Sequence, residues 1–198
     1  MKLISFEQNG NNRVGAIENG FIYDFHSIDS NISDSMLGFL QGGEVQMNLA
    51  NKAIDGGKTS IPVDSVKLLS PVSNPPSVRD AYAFRQHVAT ARKNRGLEMI
   101  PEFDEIPIFY FTNHNAVFGP GNFPILKRHT EKLDFELECA AVIGKAGRDI
   151  PVSEADNYIT GFMIMNDFSA RALQMQEMKL NLGPAKGKDF GSSFGPWL

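Results

Sequence analysis

Two glutamates stand two residues apart in the apolar run LDFELECAAVIG, residues 133–144. Side chains alternate between the faces of a strand, so Glu136 and Glu138 leave one face while Leu137 and Cys139 leave the other. Like charges held that close are costly unless they are solvated, protonated or bound to a cation. Hard cations such as Mg²⁺ and Ca²⁺ take carboxylate oxygens. A solvated strand face is the ordinary setting of a Glu-x-Glu pair, but here the flanks are core-forming residues instead of Lys and Ser, which favours the cation. Asp167 closes a second apolar run, GFMIMND, residues 161–167. A carboxylate at a strand end projects toward the rim where sites are built, and the same aspartate is equally placed to cap a helix beginning in SARALQ.

Asp80 and His87 are seven residues apart, and residues 81–95 contain neither Gly nor Pro. The stretch reads as a helix, with Asp80 at its N-cap, Tyr82, His87 and Ala91 marking its face, and Gly96 at its stop. Two helical turns would turn Asp80 and His87 toward one pocket. An imidazole suits proton transfer near neutrality, although a lone helical His is more often a surface or core residue. Residues 182–198, LGPAKGKDFGSSFGPWL, read as a Gly- and Pro-rich loop in which Lys186 and Lys188 either face anionic groups or stay solvated. The run lacks Walker spacing, so no phosphate cradle of that kind is indicated. Cys139, facing away from the glutamates and without an adjacent base, reads as a small buried apolar residue.

The elements that must position these groups are mostly short strands. KLISF, RVGAI and FIYDF are β-rich and separated by Asn-Gly turn signals, which predicts a small antiparallel unit at the N-terminus. Between residues 27 and 50 helical spacing, as in Met36, Leu37 and Leu40, breaks at Gly42-Gly43 and predicts two short helices. SPVSNPPSVRD, residues 70–80, has the composition of a junction. The expected division is a small N-terminal β domain over 1–72 and a second, mostly β domain over 73–198, the whole in the α+β class. IFYFT, 133–144 and 161–167 supply strands of the second domain. Ser153 with Asp156, and Ser169, are the expected caps of two short helices.

Nineteen basic and 23 acidic side chains give a net charge of −4 without a basic block, which excludes a nucleic-acid partner. A single cysteine allows no internal disulfide and fits a reducing cytoplasm; the opening MKLISFEQNG is not a secretory signal. No run approaches the roughly 20 apolar residues of a membrane helix.

In order along the chain stand D-A-Y-A-F-R-Q-H (80–87), D-F-E-L-E (134–138), M-N-D-F-S-A-R (165–171) and G-K-D-F-G-S-S (187–193). Together they resemble the fumarylacetoacetate hydrolase family, in its bacterial fumarylacetoacetase-like form. The resemblance implies a mixed β-sandwich or β-roll catalytic domain behind a small β domain. It implies Asp80, Glu136, Glu138 and Asp167 as ligands of Mg²⁺ or Ca²⁺, His87 as general base, and Lys188 as the cation that stabilises developing charge. Tyr82, Gln174 and Ser192 would contact substrate, Ser192 standing where the family commonly has Thr. Met178 stands where fumarylacetoacetate hydrolases tend to carry Tyr. The implied reaction is hydrolysis of a carbon-carbon bond in a 1,3-diketo acid, fumarylacetoacetate-like or acylpyruvate-like, as in aromatic amino acid catabolism, by a homodimer. Alternatives are decarboxylation or isomerisation of a related oxo-diacid, or an inactive metal-binding fragment. The resemblance also implies further strands beyond Leu198, including a carboxylate that orients the base, so the catalytic domain is expected to be incomplete.

Overall fold

Asn9-Gly10 and Asn19-Gly20 both hold positive φ, at 52° and 77° and at 51° and 82°. Two-residue hairpins that match strand twist require this backbone, and Asn-Gly is the pair that adopts it most cheaply. In the computed structural model, which describes residues 1–57 and 61–198, these turns join β1 (Lys2–Gln8), β2 (Asn11–Glu18) and β3 (Phe21–Asp24). With β4 (Ile61–Pro62) and β5 (Lys67–Leu68) they form an antiparallel sheet in the order β4-β3-β2-β1-β5. One core layer joins Leu3, Val14 and Ala16 to Phe25, Met36, Phe39 and Ala50 from three helices, Phe25–Ile28, Met36–Gln41 and Gly43–Asp55. A second packs Ile4, Phe6 and Ile22 against Val63, Val66 and Leu68. The latter two helices meet at Gly42, and Gly43 turns the chain at φ +53°, as the double glycine predicts.

Beyond residue 73 the strands are β6 (Val78–Ala81), β7 (Phe109–Thr112), β8 (Val117–Phe118), β9 (Leu133–Asp134), β10 (Leu137–Ile143), β11 (Ile159–Asp167), β12 (Ser169–Ala170) and β13 (Ser192–Gly195). Four of them make a sheet in the order β10-β11-β13-β8, whose last pair is parallel. β6 pairs with β7 and β9 with β12. The chain is mostly β with short helices. Leu198 closes onto the first sheet through two backbone hydrogen bonds with Leu3, at 2.8 and 2.9 Å.

Several local expectations are corrected. The helix expected over 81–95 is Arg85–Lys93, with Phe84 at its N-cap, and Asp80 lies inside β6. Pairing of residues 78–81 with the β-forming aromatic strand β7 overrides the local helical pattern. Asp80 and His87 therefore do not share a helix face. Ser169 does not cap a helix: its hydroxyl donates to the Asp167 carbonyl at 3.1 Å, and Ala170 is the N-cap of Arg171–Glu177. Asp167 does not cap that helix either, so its carboxylate is free for other partners. Residues 152–158 form a 3₁₀ helix behind Pro151, with no side-chain cap. The region read as a loop holds a helical turn, Ala185–Lys188, and β13. Cys139 is exposed, because β10 turns Leu137, Cys139, Ala141 and Ile143 outward.

Phe39 is fully buried and stacks on Phe25 with ring centroids 5.4 Å apart. Phe39→Ala is expected to cost about 3–5 kcal/mol, read as a lower denaturant midpoint in chemical unfolding.

Candidate metal centre

Asp80, Glu136, Glu138 and Asp167 each present a carboxylate oxygen to one small region, all within 4.8 Å of one another. Each arrives by a different structural route. Asp80 and Tyr110 are direct partners across β6 and β7. Asp167 ends β11, entirely buried, where it pairs with Ser192 of β13. Glu138 lies in β10 opposite Met165 of β11. Glu136 occupies the gap between β9 and β10, held by its backbone: its N–H donates to Asn166 Oδ1 at 3.3 Å, and its carbonyl accepts from the Asp167 N–H at 3.1 Å.

Two cations reach into this group. Lys188 is buried, 3 % exposed, and its Nζ donates to Glu136 Oε2 at 2.5 Å and Asp167 Oδ2 at 2.6 Å. Arg171 donates to Glu136 Oε1 at 2.6 Å and to Asp134 Oδ2 at 2.9 Å. Burial pulls the Lys188 pKa down, but Asp167 and Glu136 outweigh it and hold the pKa above the ordinary lysine value. Burial likewise pushes Glu136 up, and Lys188 and Arg171 more than reverse it, so this carboxylate stays ionised.

The remaining charge is not compensated. Four carboxylates against one ammonium and one guanidinium, the latter shared with Asp134, leave at least a formal −2. The strain appears at Glu138, whose pKa is pushed up to about 8 by burial and by the charges of Asp80, Asp167 and Glu136. Burial also raises Asp167, against the pull of Lys188 and Tyr110. The Tyr110 hydroxyl lies 2.7 Å from Asp80 Oδ2 and 2.9 Å from Asp167 Oδ2. A hydroxyl has one proton, so both contacts are hydrogen bonds only when one carboxylate carries a proton of its own. Burial and the two aspartates raise the Tyr110 pKa, which keeps the phenol protonated. An all-oxygen set with two surplus negative charges fits a hard divalent cation.

Of the residues singled out in the sequence, the four carboxylates, Lys188 and Ser192 converge; the Ser192 hydroxyl donates to Asp167 Oδ1 at 3.1 Å. Gln174 stands one turn from Arg171 and accepts from its Nη1 at 3.1 Å. Tyr82 and His87 are exposed, Tyr82 just beyond β6 and His87 on helix Arg85–Lys93. That helix is tethered by Arg85 to Asp104 at 2.9 Å, and among the described residues the His87 ring makes no hydrogen bond. Sequence reading assigned no role to Tyr110 or Arg171. Arg171 opens a helix, where a cation opposes the helix dipole; that misplacement signals carboxylate partners. Tyr110 alternates with Phe109 and Phe111, both exposed, so it alone of the three turns inward with a polar tip.

Residues 77–198 match the family model described as fumarylacetoacetate (FAA) hydrolase C-terminal. The oxaloacetate tautomerase Fahd2a, mitochondrial, of Rattus norvegicus is 29% identical over 160 residues, covering 81% of this chain and 49% of that protein. The chain thus spans about half the length of the curated relatives of this kind that it matches. Among solved structures, the fumarylacetoacetate hydrolase of psychrophilic Exiguobacterium antarcticum is similar over 100% of this chain and 65% of its own, with a TM-score of 0.68 and 29% identity. The maleylpyruvate hydrolase of Sphingobium sp. SYK-6, in complex with manganese (II) ion and pyruvate, shares the fold over 100% of this chain and 66% of its own, with a TM-score of 0.71 at 19% identity.

Cation uptake must displace the Glu138 proton below about pH 8. Mg²⁺ affinity measured by calorimetry is expected to rise by up to about tenfold per pH unit toward that value and to level off above it. Without metal the sign reverses. The folded state holds this proton where an unfolded glutamate, with a pKa of about 4.3, does not, so stability falls as pH rises through that interval. Glu138→Gln is expected to flatten both profiles and weaken Mg²⁺ binding, and a metal-free thermal melt series checks the stability arm.

Proposed function

The chain belongs to the fumarylacetoacetate hydrolase family, and on that footing we propose that it hydrolyses a carbon-carbon bond in a 1,3-diketo acid, fumarylacetoacetate-like or acylpyruvate-like. The observation that carries this reading is the convergence of four carboxylates with a buried ammonium among them. Asp80, Glu136, Glu138 and Asp167 would hold a divalent cation, Mg²⁺, Ca²⁺ or Mn²⁺. Bound there, the ion supplies Lewis acidity toward the paired oxygens of the substrate.

The chain's own residues then divide the work. His87 takes a proton from water as the water oxygen attacks one carbonyl carbon. The bond to the central carbon breaks when this adduct collapses, and that carbon leaves with the electron pair as an enolate. Lys188, held charged by its two carboxylates, stabilises the negative charge that develops. Tyr82, Gln174 and Ser192 are assigned to substrate contact. The Arg171 guanidinium fixes Glu136 and reaches Gln174, which aligns the two. A homodimer acting in the cytoplasm completes the reading.

A second reading has a specific observation in its favour: the tautomerase relative, at 29% identity over most of this chain. Isomerisation or decarboxylation of an oxo-diacid needs the same carboxylates and Lys188 but no attacking water. His87 then separates the two. In the hydrolase, His87→Ala is expected to lower kcat on an acylpyruvate by about 10²–10⁴ with Mg²⁺ affinity unchanged. Undiminished turnover would remove His87 from the mechanism. Turnover of oxaloacetate with no cleavage of acylpyruvates would favour the second reading.

A further inference from the structure

Glu177 is a buried acid with no part in the reaction set out above, and among the described residues it forms no ion pair. It is the last residue of the helix Arg171–Glu177, whose first residue reaches Glu136. Its carboxylate is taken up by backbone: the Lys186 N–H donates to Oε1 at 2.9 Å and the Gly187 N–H to Oε2 at 3.2 Å. Those N–H groups open the turn Ala185–Lys188, and the first amides of a helix have no partner within it. A Ser, Thr, Asp or Asn at the N-cap usually supplies the acceptor. Here the N-cap is Pro184, which makes no side-chain cap bond, so Glu177 caps the turn from the neighbouring helix.

An acid at this position is informative. Burying a carboxylate costs more than burying the neutral amide of the same shape. Two donors side by side call for two acceptors, and a carboxylate offers one at each oxygen; a glutamine would set its NH₂ against one of the N–H groups. The turn is also seated directly on the same helix. A Cβ on Gly187 would stand 2.7 Å from Gln174 Cβ and 2.9 Å from its Cα, so the two backbones touch there. From this seat Lys188 sends its buried Nζ to Glu136 and Asp167. Lys186, two residues earlier and about 200° round the turn, stays exposed. An ammonium on a flexible four-carbon stem is placed only as well as the backbone that carries it.

We propose that Glu177 is a positioning residue for the carboxylate centre: by capping the turn Ala185–Lys188 it fixes the backbone from which Lys188 reaches Glu136 and Asp167. The inference rests on the reading of Lys188 as the group that stabilises the developing charge. Glu177 acts through the turn alone.

The test is Glu177→Gln in the whole 198-residue chain. Asn113 Nδ2 still holds the far end of the turn through the Asp189 carbonyl at 2.9 Å, so the variant is expected to fold, with an unchanged far-UV circular dichroism spectrum. In metal-free protein, an ammonium buried between two carboxylates exchanges its protons slowly and gives its own nitrogen resonance, assigned by its loss in Lys188→Met. In Glu177→Gln this resonance is expected to shift or to broaden through exchange with water. With Mg²⁺ and an acylpyruvate, kcat is expected to fall at least about tenfold with KM within about twofold, the cost of misplacing a charge-stabilising group. Added to Lys188→Met, Glu177→Gln should lower kcat no further, because a residue that acts only through Lys188 then has nothing to position. Glu177→Asp keeps both acceptors but withdraws them by one methylene, and it is expected to displace the resonance in the same way if the amide variant does not fold. A Lys188 resonance that does not move in a folded Glu177 variant overturns the proposal, as does its absence from the wild type, or kcat losses that add in the double variant. Loss of the fold in both variants makes Glu177 a purely structural residue and overturns it too. If the wild type leaves acylpyruvates intact, the hydrolase reading falls, and the ammonium resonance still decides the role of Glu177.

Discussion

Uncompensated negative charge in a half-buried space is the constraint around which the second half of the molecule is arranged. Carboxylates this close repel one another, and burial raises the energy of each ionised form. Lys188 and Arg171 relieve part of that cost. They are themselves affordable inside only because carboxylates surround them: an ammonium 3 % exposed is tolerable with oxygens at 2.5 and 2.6 Å and not otherwise. The cluster is therefore one electrostatic unit, in which removing any member changes the charge state of the rest. The charge left over shows at Glu138, whose pKa burial and the neighbouring carboxylates push up.

Holding such a unit together is work for strands more than for helices. Cross-strand partners bring Asp80 beside Tyr110 and Asp167 beside Ser192 without any long connecting geometry. The backbone of Glu136, clasped by Asn166 and Asp167, places a carboxylate in a break between two strands where the chain is free to turn its side chain inward. The helix Arg171–Glu177 and the turn Ala185–Lys188 then lean in from one side and bring the two cations.

Much of this was legible in the residues. The Asn-Gly pairs specified both hairpins of the first sheet, and the double glycine at 42–43 marked the helix break, because each depends on backbone conformations few residues adopt. The spacing of Glu136 and Glu138 in an apolar run pointed to a shared charge problem. Asp80 was misjudged for a physical reason: the lack of Gly and Pro after it looks helical locally, while its β conformation comes from a partner strand thirty residues away. Periodicity carries no information about such partners. Cys139 went wrong in the same way, since alternation separates two faces without saying which of them is covered. Nor could spacing reveal that Lys186 and Lys188 serve opposite sides of one turn.

β10 and β11 have apolar side chains on both faces: Leu137, Ala141, Ile143, Phe162 and Ile164 on one, Ala140, Val142, Met163 and Met165 on the other. Hydrophobic burial alone distinguishes poorly between their correct pairing and one slipped by a residue. The carboxylates do distinguish them. A slip would carry Glu138 to the outer face and draw Glu136 away from Lys188. The charged centre thus acts as a proofreading mark for the sheet: only a chain whose strands have settled in the right alignment can assemble the four oxygens, so their meeting certifies the fold itself.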